Sequence, residues 1–377
     1  MKVAIIHDDL MRRGGGEQVA LCFHKAFPEA TLYTLAYQPH LTYSEFKKVN
    51  IVTSWYQNLV KNEKTMKWLF FPFGLLAAKQ LKVEGYDVVL ISTTYSSKFI
   101  PIPSNSIVIT YCHTPFRLVW NPNSYSQYIN SKFLFRWLMD RIINYLRKLD
   151  KESSKRTNFF IANTQEVKER VKKAYEPIKD IEILSPPVNL SNYYISENIG
   201  DYYLVVSRLE YYKKVDLVID AFNQIGKKLI IVGNGSKKEE LMKRAKGNIT
   251  FMQGVDSATL SKLYAECKAF IFPQHEDYGI TPLEANAAGR PVIAYGAGGV
   301  LETMVPYTGD ASVASALFFE KQEVGDLIEA IKKSETLNFS PTFIRANAER
   351  FHEKIFIEKI QNYVRSKFEE KSSIHCA

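Results

Sequence analysis

The sequence predicts an α/β protein made of two Rossmann-like parallel-sheet domains facing across a cleft, and two observations carry this. Short β-rich runs alternate with amphipathic stretches along nearly all of the 377 residues. One turn-rich interval, Ser185-Pro186-Pro187-Val188-Asn189 to Gly200, interrupts the alternation, which then restarts. Two sheets joined by a single linker imply a cleft between them. The expected domains are residues 1–188 and 189–350.

The opening run Val3-Ala4-Ile5-Ile6 is continuously apolar and ends in His7-Asp8-Asp9, as expected of a buried first strand. It is too short for a signal peptide. The glycine turn Arg12-Arg13-Gly14-Gly15-Gly16-Glu17 leads into an amphipathic helix over 18–26, so its backbone can approach a phosphate or sugar closely. Strands are expected at 88–92, 107–112, 159–162 and 181–184, with a helix at 165–173. After the linker the expected strands are 202–207, 229–232, 249–252, 269–272 and 292–295. Helices are expected at 215–223, 236–245, 258–266, 282–288 and 324–333.

Composition limits the function classes. At 46% hydrophobic residues the chain can fill two cores, and nothing in it is repetitive. Cys22, Cys112, Cys267 and Cys376 lack paired spacing, which fits free thiols in a reducing compartment, with the cytoplasm expected, better than disulfides or a zinc site. The longest apolar stretch, 68–78, contains a proline and is too short to span a bilayer. The net charge of +9 is uneven: residues 1–188 carry +10 and residues 189–377 carry −1. A basic first half suits an anionic partner, with membrane lipid, a lipid diphosphate and nucleic acid as the options. The aromatics and leucines of 68–76 follow Lys61, Lys64 and Lys67, and Phe133, Phe135 and Trp137 interleave with Lys132 and Arg136. Such patterns occur in segments that lie on an anionic membrane, and also in helices packed into a core. No nucleic-acid-binding motif is present.

The chemistry concentrates at expected strand ends, where ligands of parallel sheets bind. Glu276-Asp277-Tyr278-Gly279-Ile280-Thr281-Pro282-Leu283-Glu284 places two carboxylates around a glycine, after the run 269–273. A helix starting near Pro282 would leave the amides of Gly279, Ile280 and Thr281 as an anion site, flanked by carboxylates that accept hydrogen bonds from sugar or ribose hydroxyls. The ligand to expect is a nucleotide sugar. Arg208 at a strand end and Lys213 five residues on can reach one diphosphate. The turns Val232-Gly233-Asn234-Gly235-Ser236 and Gly296-Ala297-Gly298-Gly299-Val300 lie at neighbouring strand ends. His113, in Tyr111-Cys112-His113-Thr114-Pro115, is expected to face the cleft and contact a sugar. Serine nucleophile elbows, His-Glu-x-x-His helices, kinase lysine motifs and metal-ligand clusters are absent from the sequence.

These motifs together resemble the GT-B glycosyltransferases of family 4. Within that family the segments 3–17 and 111–120 are similar to those of bacterial O-antigen mannosyltransferases. The resemblance rests on Glu276-x7-Glu284, Arg208-Leu209-x3-Lys213, Val232-Gly233-x-Gly235 and Gly298-Gly299-x2-Glu302, and runs over nearly the whole chain. It implies that Glu276 binds the donor sugar and Glu284 the ribose. Arg208, Lys213, the amides of Gly279, Ile280 and Thr281, and Gly16 would hold the diphosphate. Gly254 and Val255 would lie by the base and His113 by the transferred sugar, with Glu276, His113, Arg208 and Lys213 as the catalytic set. It further implies retention of anomeric configuration, no metal or other cofactor, and a final helix within 351–377 that crosses back to the first domain. Lys214 and Ser207 stand where glycine is frequent in the family.

The function expected from the resemblance is transfer of mannose from GDP-mannose to a lipid-linked or cell-surface polysaccharide, by a cytoplasmic protein peripheral to the membrane. A UDP-sugar donor, or a non-catalytic subunit binding a sugar nucleotide or glycan, are the alternatives.

Overall fold

The computed structural model describes residues 1–122, 128 and 133–375, with backbone alone at 133–134 and 372–375. Lys132 and Cys376 lie outside the described residues, and the side chain of Phe133 is not described. The chain forms two compact units, Met1–Pro187 with Glu353–Ala377, and Val188–His352.

In the first unit a parallel sheet has the order β3-β2-β1-β4-β5-β6-β7. Its strands are β1 (Val3–His7), β2 (Thr31–Thr34), β3 (Ile51–Thr53), β4 (Val88–Thr93), β5 (Ile107–Cys112), β6 (Phe159–Ala162) and β7 (Glu182–Ile183). The apolar runs are continuous because both faces are covered: Ala4, Ile6, Val89, Ile91 and Val108 enter one core, while Val3, Ile5, Val88, Leu90 and Ile109 enter the other. Against the second core lie the helix Gly15–Ala26 and the final helix Glu353–His375. Phe356, Ile360 and Val364 recur every four residues, so one stripe of the final helix faces inward and Phe356 stacks on Phe23 at 6.0 Å. Burying each of these side chains contributes about 2 kcal/mol, which fastens the C-terminus to the first unit.

The second unit holds a parallel sheet of order β10-β9-β8-β11-β12-β13. The strands are β8 (Tyr203–Val206), β9 (Leu229–Val232), β10 (Ile249–Met252), β11 (Phe270–Phe272), β12 (Val292–Tyr295) and β13 (Ala316–Phe319). Alternation again divides the side chains, with Tyr203, Val205 and Ile271 on one face and Leu204, Phe270 and Phe272 on the other. The strands β2, β3 and β13 and the helix Phe133–Ser154 were not expected from sequence. Thr31–Thr34 and Ile51–Thr53 mix threonine into their short runs, which leaves them without the continuous apolar pattern of the strands beside them.

Candidate functional site

The order of the second sheet fixes where a ligand can enter that unit. After β8 the chain proceeds to β9 on one side, and after β11 it proceeds to β12 on the other, so the adjacent carboxyl ends of β8 and β11 open a crevice. Arg208 and Lys213 follow β8, and Glu276 follows β11. Lys213, only 5% exposed, forms an ion pair with Glu276 Oε1, while Gln274 Nε2 donates to Glu276 Oε2 at 3.3 Å. The ring of Tyr212 lies beneath both cations, 5.9 Å from the exposed Arg208 guanidinium and 5.2 Å from Lys213 Nζ. Both positive groups thus lie within reach of one aromatic ring.

Close backbone approach holds both loops. A Cβ on Gly235 would stand 2.3 Å from the carbonyl oxygen of Leu209, which no side chain tolerates. The amide of Leu209 in turn donates to the Asn234 carbonyl at 2.9 Å, so the turn after β9 clamps the Arg208 loop. On the other side Gly299 N–H donates to the Glu276 carbonyl at 2.9 Å, and a Cβ there would meet the Asp277 oxygen at 2.4 Å. Lys214, where the family often has glycine, takes a left-handed φ of 52° and still caps the helix Val215–Ile225.

The helix beyond Glu276 is Ile280–Ala287, so it begins two residues before the expected Pro282. Proline is tolerated in the first turn because its missing amide has no intrahelical acceptor there. Gly279 is the N-cap in the left-handed region, with φ 86°, and the first-turn amides of Ile280 and Thr281 have no carbonyl four residues back to bind. Glu284, part-buried, accepts from the Tyr264 hydroxyl at 2.8 Å. Burial raises its carboxyl above the usual range, against the opposing hydrogen bonds of Tyr264 and Tyr193. Gly254 and Val255 follow β10 on an exposed turn, Gly254 with φ 63°. Arg208, Lys213 and Glu276 therefore surround one crevice, with the helix bearing Ile280, Thr281 and Glu284 directly after Glu276.

In the first unit the structure brings Gly16 and His113 together: a Cβ on Gly16 would lie 3.6 Å from His113 Nε2 and 3.4 Å from His7 Cε1. His113, at the end of β5, is part-exposed, and its Nε2 contacts Ser92 Oγ at 2.8 Å. Ser92 Oγ also contacts His7 Nδ1 at 3.0 Å. Behind them Asp8 Oδ1 and Oδ2 accept from the amides of Thr94, Tyr95, Ser96 and Ser97, which ties the end of β1 to the turn after β4. Sequence reading missed Ser92, Tyr264, Tyr193 and Tyr212. His7 and Glu17 were visible only as the polar residues that ended the first strand and its glycine turn.

Among the described residues no group of three or more His, Cys, Asp or Glu could hold a metal ion, and no helix is long and apolar enough to cross a membrane. Cys22, Cys112 and Cys267 are free and buried.

The family model "Glycosyl transferases group 1" matches residues 197–351, and "Glycosyltransferase Family 4" matches residues 13–192. The alpha-1,3/1,6-mannosyltransferase ALG2 of Kluyveromyces lactis is 25% identical over 379 aligned residues, covering 81% of this chain and 71% of that protein. O-antigen chain mannosyltransferase C of Escherichia coli is 22% identical over 270, covering 67% and 68%. Among solved structures, sucrose-phosphate synthase of Thermosynechococcus elongatus has a TM-score of 0.74 at 15% identity, with 98% of this chain and 100% of that one covered. Anabaena HepE, solved with UDP and glucose, has a TM-score of 0.71 at 16% identity, with 97% and 100% covered. At these identities the structural likeness is one of fold.

Proposed function

This chain belongs to glycosyltransferase family 4 and has the GT-B fold, and on that premise we propose that it transfers mannose from GDP-mannose to a lipid-linked or cell-surface glycan with retention of anomeric configuration. It is a hexosyltransferase; the donor, the acceptor and the residue roles are the proposal. The observation that carries it is the pairing of Lys213 with Glu276 at the β8–β11 crevice, beside the N-terminus of Ile280–Ala287. A diphosphate placed there replaces Glu276 as the partner of Lys213. Arg208 and the first-turn amides add further charge-assisted donors.

The chemistry follows from where charge develops. As the bond from the sugar to the diphosphate breaks, negative charge grows on the departing oxygen, and Lys213 and Arg208 stabilise it without a bound metal ion. The freed Glu276 carboxylate accepts from sugar hydroxyls and orients the ring. Glu284, with its raised pKa, holds the ribose hydroxyls from the helix. The departing phosphate oxygen takes the acceptor proton, so no protein nucleophile is required. Mannose is favoured because ALG2 and the O-antigen enzyme, both similar over two thirds or more of this chain, are named mannosyltransferases. HepE was solved with UDP, which keeps a UDP-sugar as the competing donor.

A lipid-linked acceptor fits the surface of the first unit. Trp68 is 81% exposed, with Phe71, Phe73 and Leu76 also exposed on the same segment. Phe71 meets the exposed Tyr145 at 6.1 Å, which joins this segment to Phe135, Trp137 and Leu138 on the helix Phe133–Ser154. Lysines 61, 64 and 67 and Arg141 flank these apolar groups, a composition suited to the face of an anionic bilayer. The protein is then peripheral on the cytoplasmic membrane face.

A thermal-shift panel of nucleotide sugars, followed by donor hydrolysis, tests the function. GDP-mannose should raise the melting temperature most and be hydrolysed. A larger shift with a UDP-sugar reassigns the donor, and binding without hydrolysis or transfer favours a non-catalytic subunit.

A further inference from the structure

Ser92 Oγ carries one proton and touches two imidazole nitrogens, His7 Nδ1 at 3.0 Å and His113 Nε2 at 2.8 Å. The hydroxyl can donate to only one of them, and no other acceptor lies in reach of its proton among the described residues, so the arrangement that pairs every group has one contact N–H to oxygen and the other O–H to nitrogen. The direction is decided at His7, which is 3% exposed. Its Nε2 lies 3.9 Å from Glu17 Oε1, and neither this nitrogen nor either Glu17 oxygen has a hydrogen-bond partner among the described residues. Glu17 Oε1 is also 3.0 Å from Arg12 Nε, and Arg12 Nη1 is 2.6 Å from Glu63. The groups facing His7 are thus Glu17 and Arg12, Asp8 and Asp9 from its own strand end, and Ser92 and His113 from β4 and β5.

Three carboxyl groups around one buried imidazole favour its charged form. Burial opposes this, but Glu17, Asp8 and Asp9 together raise the His7 pKa. His113 responds oppositely: burial and then the His7 charge bring it down to about 4, so it is neutral at pH 7. In that charged form both His7 nitrogens carry N–H, with Nε2 facing Glu17 Oε1 at 3.9 Å and Nδ1–H donating to Ser92. The hydroxyl, with no other acceptor in reach among the described residues, then donates to His113 Nε2.

We infer that Ser92 and His7 are positioning residues that hold His113 in a single tautomer, with Nε2 accepting from Ser92 and the proton on Nδ1. This rests on the reading of His113 as the residue beside the transferred sugar. Among the described residues Nδ1 of this part-exposed ring has no hydrogen-bond partner, so the locked tautomer presents a donor to a ligand oxygen. Without Ser92 the ring can place its proton on either nitrogen, and a share of molecules offers no donor there.

The experiment is a long-range proton–nitrogen spectrum of the full protein carrying 15N-histidine at pH 7, with signals assigned through His113→Gln and His7→Gln. The expected result is a neutral Nδ1–H form for His113 and a charged ring for His7. In Ser92→Ala, His113 should become a tautomer mixture, and turnover should fall about 10-fold with the donor KM unchanged within twofold. An Nε2–H form in the wild type, or the same His113 tautomer in Ser92→Ala, overturns the inference. The wild-type spectrum decides even if that variant does not fold. If His113→Gln leaves turnover unchanged, the placement of His113 beside the sugar fails, while the spectrum still judges the tautomer separately.

Discussion

Lys213 and Glu276 are 63 residues apart in sequence and form one ion pair where β8 and β11 lie side by side. The ammonium is almost entirely buried and the carboxylate is about one-third exposed. The pair neutralises two groups whose proposed partners, a phosphate and a sugar hydroxyl, arrive on the same molecule. On the proposed function, donor binding exchanges the partner of Lys213. In Glu276→Gln the buried ammonium loses its counter-charge, and part-exposure of the site moderates the cost to about 1–2 kcal/mol in urea unfolding. GDP should then stabilise the variant more than the wild type, because it restores the missing negative charge. Turnover should fall about 100-fold, since an amide is a weaker acceptor for sugar hydroxyls. Equal GDP-induced shifts in the two proteins would remove the exchange from the account.

The cations are separable from the carboxylates by ligand. Arg208→Ala and Lys213→Ala should each weaken GDP by about 10- to 100-fold in calorimetry while changing guanosine by less than threefold. Equal losses for nucleotide and nucleoside contradict a phosphate role.

The motifs were legible because strand-end chemistry stays within a few residues of the strand that carries it. Glu276 and Arg208 could be placed at strand ends, Lys213 on the loop after one of them and Glu284 in the following helix, from the combined motifs. The ion pair could not be read, because it depends on β8 lying beside β11 with the chain leaving each in opposite directions. Continuous apolar runs disclosed the central strands, whereas Thr31–Thr34 and Ile51–Thr53 mix threonine into the run and lack that signal. Ser92 was invisible for a different reason: a serine at a strand end has no sequence signature, and only the register Ser92 with His7 and Tyr111 sets it between two histidines.

Gly235 tests the clamp on the Arg208 loop. A methyl group there would have to displace the Leu209 carbonyl from 2.3 Å, so Gly235→Ala should cost about 2–4 kcal/mol in urea unfolding and weaken GDP as well. Gly226 offers the control. It ends the helix Val215–Ile225 with φ 70° and has nothing within 4 Å, so Gly226→Ala should cost only about 1 kcal/mol and spare the nucleotide. Similar GDP affinities in the two variants would show that the turn does not set the loop.

Membrane docking predicts two separable responses in sedimentation with anionic vesicles. Raising salt should reduce binding, because lysines 61, 64 and 67 act through a screened surface potential. Trp68→Ala should reduce it at every salt concentration, since the lost term is apolar burial. Absence of binding at low salt ends the proposal for this surface.

His113 makes a signed prediction about acid stability. Its pKa is about 4 when folded and 6.5 in the reference state, burial being the largest cause and the His7 charge the next. Between those values the unfolded chain binds a proton that the folded chain does not, so stability is lost as pH falls from 6.5 towards 4 and the loss saturates below. The shift amounts to at most about 3 kcal/mol for this one group. His7 acts with the opposite sign: its folded pKa is raised, so its contribution is complete below pH 6.5 and disappears as pH rises through the folded value. His24, also lowered by burial, adds a slope of the same sign as His113 and remains in a His113 variant. The difference between unfolding free energies of the wild type and His113→Gln should therefore change steadily between pH 6.5 and 4 and be flat below. A difference that is constant across that window means that His113 keeps an ordinary pKa, and with it the charge relation between the two histidines is lost.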